Sequence, residues 1–319
     1  MNGVLIIDKP QGLTSHDVVS RVRRILGQRS VGHLGTLDPS ATGVLPIVTG
    51  NLTRLAQFYT HAEKSYEGLI RFGFATDTYD AEGQATTPAV EISLDYSRLA
   101  ELAAQFRGRI QQVPPPFSAK KIAGVPAYKL ARKKQEVELK AVEVEILEFE
   151  ILQDFEILQD EDEHRVRNNQ ARFRARVSCG TYMRAIAHEM GERLGCGAHL
   201  ASLRRTAAAE FTIAAAHGLA ELETAVQQGR IEEMFVHPRT LLPEFPSVTA
   251  SDETAALIRF GRAVNLPEFS RARQVKVFYG QADLLAIATR VAGTLFHPSI
   301  VFASESGGVV AGHPQPRRT

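Results

Sequence analysis

A chain of 319 residues has room for about two domains, and 44% hydrophobic residues supply a sizeable core. A net charge of +1 excludes bulk electrostatic attraction to nucleic acid, so an RNA partner must be met by local basic patches. Cys179 and Cys196 have neither metal-ligand spacing nor a disulfide framework, no apolar run nears the ~18 residues of a membrane span, and no cleavable leader opens the chain; a reducing cytoplasm and no membrane are expected.

Residues 4–7 (VLII) read as a buried strand closed by Asp8-Lys9-Pro10-Gln11-Gly12. Thr14 and Asp17 have capping-box spacing, Val18, Val19, Val22, Ile25 and Leu26 follow at helical intervals, and Gly27 is a stop. The glycine-punctuated stretch 31–47 (VGHLGTLDPSATGVLPI) carries one carboxylate and one imidazole. Asp38 precedes a proline, which pushes its backbone out of the helical region and presents the acid on a loop; a simple Asp-Pro turn is the competing reading. Residues 66–74 look like a strand, and 76–84 (TDTYDAEGQ) like an acidic loop that lacks the ligand spacing of a calcium site.

Leu99, Leu102, Ala103 and Phe106 mark a short amphipathic helix, and the prolines of 113–121 make an extended, stiff segment. Val142, Val144 and Ile146 alternate with Glu143 and Glu145 in a strand. The hexamer FEILQD at 149–154 repeats at 155–160; an even period lets a strand lengthen without exchanging its faces. Arg172, Arg174 and Arg176 share one strand face, read as cross-strand partners of Glu143 and Glu145 in preference to an RNA-binding ridge. Thr181 is placed to cap a helix with the stripe Met183, Ile186, Met190 and Leu194. Arg184 lies in its first turn, where the helix dipole disfavours a cation and an anionic partner is expected. From about residue 246 the texture turns to short strands, a small β-rich module of about sixty residues, and after 306 to a Gly-, Pro- and Arg-rich tail. Candidate basic patches are Arg21, Arg23, Arg24 and Arg29; Lys120, Lys121, Lys129, Arg132, Lys133 and Lys134 around Tyr128; and Arg204 with Arg205.

The stretch GHLGTLDPSATGVLPI closely resembles the catalytic motif of the bacterial tRNA pseudouridine-55 synthases, the TruB family, with Leu34 where the family usually has Thr. The resemblance implies that Asp38 is the catalytic carboxylate and that His33 stacks within the RNA loop. Further motifs agree in order along the chain. Asp8-Lys9-Pro10 with Gly12, Thr14 and Ser15 resembles the N-terminal signature, which adds Lys9 to the substrate-binding set. Lys64-Ser65-Tyr66 matches the segment of the active-site tyrosine, and Cys179 to Arg184 (CGTYMR) that of the active-site arginine, with Tyr182 a pocket candidate. Pro115 to Ala119 with Lys121 is similar to the RNA-gripping thumb, which brings in Lys120 and Lys121. Leu203-Arg204-Arg205-Thr206 resembles the uridine-pocket wall, with Ala209 where Gly is more frequent.

The fold so implied is α+β, a mixed, largely antiparallel central sheet flanked by helices (the pseudouridine synthase fold), followed by a small β-barrel-like PUA module. Expected domains are 1–245, catalytic, with its thumb at about 113–140; 246–306, PUA-like and RNA-binding; and 307–319, a flexible tail. The implied partner is the T-arm of tRNA, with no obligate protein partner and a monomeric state. No metal or redox cofactor is expected, because the isomerisation breaks N1–C1′, joins C5 to C1′ and consumes neither water nor oxidant. An ionised carboxylate serves as nucleophile or as base for the 2′ proton, and the sequence does not choose. A guide-RNA-dependent synthase is disfavoured by the 76–83 loop, which resembles the stand-alone enzymes, and by the lack of a lysine-rich tail. A non-catalytic tRNA chaperone is disfavoured by the intact trio Asp38, Tyr66 and Arg184.

Overall fold

The computed structural model describes residues 1–118, 121–122, 125–126, 139–153 and 169–302. Lys120 and the side chain of Lys121, the second FEILQD copy and the 307–319 tail therefore lie outside the described residues. Two compact units emerge: one from Val4–Val48 and Leu55–Phe235, the other from Met1–Gly3, Thr49–Arg54 and the chain from Val236 onward.

The larger unit is built on a mixed sheet. Its strands are β1 (Gly3–Lys9), β2 (Val31–His33), β3 (Thr42–Thr49), β4 (Lys64–Phe72), β5 (Gly108–Gln112), β8 (Val142–Ile151), β9 (Gln170–Val177), β10 (Ala198–Ala208) and β11 (Phe211–Thr212). A separate two-residue ribbon pairs β6 (Lys121–Ile122) with β7 (Val125–Pro126). The sheet order is β1-β3-β10-β4-β9-β8-β5, with β2 beside β3 and β11 beside β10. From β10 to β5 each pairing is antiparallel, and β10 runs parallel to β3. Helices α1 (Ser15–Leu26), α2 (Tyr96–Ala104), α3 (Met183–Leu194) and α4 (Leu219–Gln227) flank it. Their apolar stripes join the sheet in one core that includes Val18, Val22, Leu102, Ile186, Met190 and Leu222.

Local signals account for the helix ends. Thr14 and Asp17 form the expected capping box, and Gly27 closes α1 in the left-handed conformation at φ 60°. At α3 the expectation fails: Tyr182, not Thr181, is the N-cap residue, and no side chain caps the helix. The Thr181 hydroxyl instead donates to Ser178 O at 3.0 Å, a local turn bond that competes with capping.

The arginine face of β9 does pair with carboxylates, though not with Glu143 and Glu145. Arg174 meets Glu67, and Arg176 meets Glu63 and Glu148. A register shift between Ile146 and Glu148 sets Glu148 and Glu150 opposite Arg176 and Arg174, while Glu143 lies 4.0 Å from Arg109. The bulge, invisible in a simple alternation, displaces the pairing.

The parallel pairing of β3 with β10 brings the glycine-punctuated stretch against a strand from much later in the chain. Arg205 lies opposite Gly43, whose φ is +100°, and a Cβ there would stand 2.2 Å from the Arg205 carbonyl oxygen. Gly43→Ala is therefore expected to cost about 3 kcal/mol, from a steric clash added to a disfavoured backbone region, visible as a lowered midpoint in denaturant unfolding.

The smaller unit holds a five-stranded sheet ordered β12 (Ser247–Thr249), β14 (Gln274–Tyr279), β15 (Asp283–Ala292), β16 (Leu295–Val301) and β13 (Val264–Asn265). Helix α5 (Asp252–Arg259), capped by Ser251, packs onto it around Ala255, Ile258, Val275, Val277 and Phe296. This agrees with the expected β-rich module, to which the structure adds the helix.

Candidate active site

The loop between β2 and β3 is held residue by residue. Ser15 Oγ, at the start of α1, donates to Leu37 O at 3.1 Å and accepts from Leu37 N at 2.8 Å. Lys9 Nζ donates to Pro10 O, Leu13 O and Pro39 O at 2.9, 2.7 and 3.1 Å. Arg205 donates to Val44 O, Thr36 O and Gly35 O at 2.7, 3.2 and 3.1 Å. A turn bond from Ala41 N to Asp38 O closes the loop. With the flanking carbonyls engaged, the Asp38 side chain is left facing outward, 39% exposed.

Lys9 and Arg205 are both fully buried, and both pin the Asp38 loop through its backbone carbonyls. Alternation along β10 explains the split in the Arg204-Arg205 pair, since neighbouring strand residues face opposite sides. Arg205 points inward, while Arg204 stays partly exposed and pairs with Asp8 at 2.7 Å. Burial draws Lys9 down to about 8, opposed by the Asp38 charge and reinforced by Arg205.

Asp38 Oδ2 lies 2.9 Å from Arg184 Nε. Arg184 is buried on the first turn of α3, and its Nη1 lies 3.6 Å from Asp80 Oδ2. It also donates to Thr78 O and Phe117 O, both at 3.1 Å. The anionic partner expected for this misplaced cation is present twice. Nothing in the sequence singles out Asp80 itself. It belongs to the acidic loop at 76–84, where Thr78 Oγ1 at 2.6 Å and Glu82 N at 3.1 Å donate to its other oxygen. The residue before it, Tyr79, adopts φ +64°, a left-handed conformation that costs a non-glycine residue about 1–2 kcal/mol.

Asp38, Asp80, Arg184, Leu203, Gln11 and Ser202 line a cavity of about 170 Å³. Tyr66 on β4 is buried; burial raises its pKa, and the Arg205 charge opposes that rise. Burial likewise raises the Tyr182 phenol. The Tyr182 backbone is clamped both ways by the Gln112 amide, at 2.8 and 3.1 Å. Of the sequence-derived candidates, Asp38, Arg184 and Leu203 line the cavity, whereas Lys9, Arg205 and Tyr66 are buried and are not among its lining residues.

His33 ends β2, and its Nδ1 accepts from Gly35 N at 3.3 Å, which assigns the proton to Nε2. Burial, then the charges of Arg205 and His16, lowers its pKa from 6.5. The folded state thus binds fewer protons than the unfolded state below pH 6.5, so this part of the stability is complete above that value and is lost on acidification. Burial lowers His188 and His199 in the same direction. His33→Asn keeps an acceptor for Gly35 and removes one titration. Its thermal midpoint is expected to fall less steeply than that of the unaltered protein between pH 7 and pH 5.

Comparison with known proteins gives a consistent picture. Residues 23–183 match the N-terminal domain of TruB family pseudouridylate synthases, and residues 184–243 match the tRNA pseudouridylate synthase B C-terminal domain. The chain is 47% identical over 304 residues to a tRNA pseudouridine synthase B of Solibacter usitatus, covering 94% of this chain and all of that one. A protein of the same name from Geobacillus thermodenitrificans is 42% identical over 274 residues, 84% of this chain and 87% of the relative. Among solved structures, a Cbf5-Nop10-Gar1 complex aligns with a TM-score of 0.67 at 23% identity, covering 94% of this chain and 85% of its counterpart. An H/ACA RNP bound to a substrate RNA containing 2′-deoxyuridine gives 0.67 at 22%, covering 95% and 86%. At such identity these two establish the shared fold alone.

Proposed function

The chain belongs to the TruB family of pseudouridylate synthases, and on that premise we propose that it isomerises the T-loop uridine of tRNA, with Asp38 as the catalytic carboxylate. The observation that carries the assignment is the pairing of a partly exposed Asp38 with a buried Arg184 at the wall of a cavity. The cavity is concave and partly polar, as a pocket for a single extruded base must be. In the reaction the N1–C1′ bond breaks, the base turns, C5 joins C1′, and the C5 proton is replaced by one at N1. Asp38 acts on the ribose side, as nucleophile at C1′ or as base for the 2′ proton. Arg184 keeps that carboxylate ionised and aimed once RNA covers the cleft and excludes water.

Tyr66 is the proposed catalytic tyrosine, stacking on the target base with its hydroxyl taking part in proton transfer at C5, and its raised pKa keeps the phenol protonated. Leu203 supplies an apolar wall for the base. His33 stacks in the RNA loop, and Arg204, Tyr182, Lys120 and Lys121 complete the proposed contact set. We read the chain from 246 to 306 as a PUA-like RNA-binding domain. No helix among the described residues is long and apolar enough to cross a membrane; we place the protein in the cytoplasm, acting as a monomer without a protein partner.

The test is an unmodified tRNA transcript incubated with the purified protein, with pseudouridine mapped by carbodiimide labelling and primer extension. A single stop at the T-loop uridine is the expected result. Tight tRNA binding with no stop anywhere overturns it, in favour of a chaperone or a guide-dependent enzyme.

A further inference from the structure

Helix α3 carries a second side chain that bears on the site without entering it. His188 lies four residues after Arg184, on the same side of the helix. Its ring stacks on Tyr79, with centroids 3.7 Å apart and planes within 8°. Tyr79 is the left-handed residue immediately before Asp80, and among the described residues just two other non-glycine positions reach positive φ, Ala209 and Leu242. We propose that His188, by stacking on Tyr79, sets the position of Asp80 against Arg184 and so acts as a positioning residue for Asp38 in the isomerisation.

The geometry links the four residues in series. The kink at Tyr79 turns the chain inward, so that Asp80 is buried. One Asp80 oxygen is taken by Thr78 Oγ1 and Glu82 N, which leaves the other facing Arg184 Nη1. Backbone bonds hold the same loop to β10: Leu200 N donates to Tyr79 O at 3.0 Å, and Ala81 N donates to Leu200 O at 3.1 Å. Those bonds fix the loop along the strand. Beside the bonds of Arg184 to Thr78 O and Asp80, the Tyr79 ring is a ring contact from the loop to α3, one turn further along the helix that holds Arg184. Because His188 and Arg184 share one rigid helix, the stack gauges the distance from Asp80 to the guanidinium. His188 is itself braced on its far side, with Nε2 3.4 Å from Glu192 Oε1.

The proposal rests on the synthase function, and one assay separates the two. Single-turnover conversion and tRNA affinity are measured for the unaltered protein, His188→Ala, His188→Phe and Tyr79→Gly. Pseudouridine formation by the unaltered protein tests the function; the ratios among variants test the stack. A misplacement of about 1 Å in such a site costs on the order of 100-fold in rate, so His188→Ala is expected to slow conversion about 10-fold or more. Affinity for tRNA stays within about twofold, since neither ring lines the cavity.

His188→Phe keeps a flat ring and restores the rate to within about threefold. Tyr79→Gly guards against a mere folding defect: glycine accepts φ +64° without strain, so the loop backbone is retained while the stack is lost. It is expected to match His188→Ala in rate at unreduced thermal stability. In an Asp80→Asn background, His188→Ala adds no further loss. An unaffected rate in Tyr79→Gly, a failure of folded His188→Phe to recover, or an additive loss with Asp80→Asn overturns the proposal.

Discussion

Asp38→Asn is expected to abolish pseudouridine formation, by about 10⁴-fold or more, while tRNA still binds with near-normal affinity. The substitution is nearly isosteric and removes the charge that would act on the ribose. It leaves the loop intact, because that loop is held through backbone carbonyls by Ser15, Lys9 and Arg205 and not through the Asp38 carboxylate. Arg184 retains Asp80 as a counter-ion and keeps its bonds to Thr78 O and Phe117 O, so the buried cation is not abandoned. The two effects are read together, as product by carbodiimide mapping and affinity by filter binding. A variant that still modifies tRNA at the unaltered rate removes Asp38 from the chemistry; one that loses affinity in proportion to rate makes it a binding residue instead.

The second large effect is expected from Arg184→Lys, which preserves the charge and still lowers the single-turnover rate by about 10²–10³-fold. The guanidinium contacts four groups in four directions: Asp38, Asp80, Thr78 O and Phe117 O. A single ammonium has three donors for these four groups and leaves a buried carbonyl or carboxylate without one. Charge alone is thus not the property that matters. Rate constants measured at saturating enzyme, beside the affinity, check this. If Lys sustains the full rate, Arg184 serves only to neutralise; if affinity falls with the rate intact, its place is in RNA binding.

How much of the fold and site is legible in the chain depends on what each residue answers to. The α1 cap, the glycine stop and the alternating strands are local signals, and they appear in the structure as read. Arg184 is conspicuous because a cation in the first turn of a helix breaks a local preference, and the structure supplies its two carboxylates. Asp80 gives no such sign: within an acidic, glycine-ended loop it looks like any solvated turn residue. Arg205 reads as part of a basic patch, since long cations are ordinarily exposed, and nothing local marks Lys9 as buried. The burial of Arg205 goes with β3 lying parallel to β10, a pairing between segments some 160 residues apart, whereas Lys9 is held by carbonyls at most 30 residues away. The partners of Arg174 and Arg176 are displaced by a bulge, again a property of pairing and not of composition.

The distance in sequence between Arg205 and the loop it pins has a consequence for synthesis. Its bonds to Val44, Thr36 and Gly35 span 161, 169 and 170 residues. The loop bearing Asp38 leaves the ribosome early, but its clamp follows only after those residues are translated, on the order of ten seconds or more later at typical bacterial rates. During that interval the loop has its early partners Ser15 and Lys9 in the chain but lacks the three bonds of Arg205. A chain that stops short of β10 is therefore expected to carry Asp38 on a loop without its clamp, which docks when β10 pairs with β3.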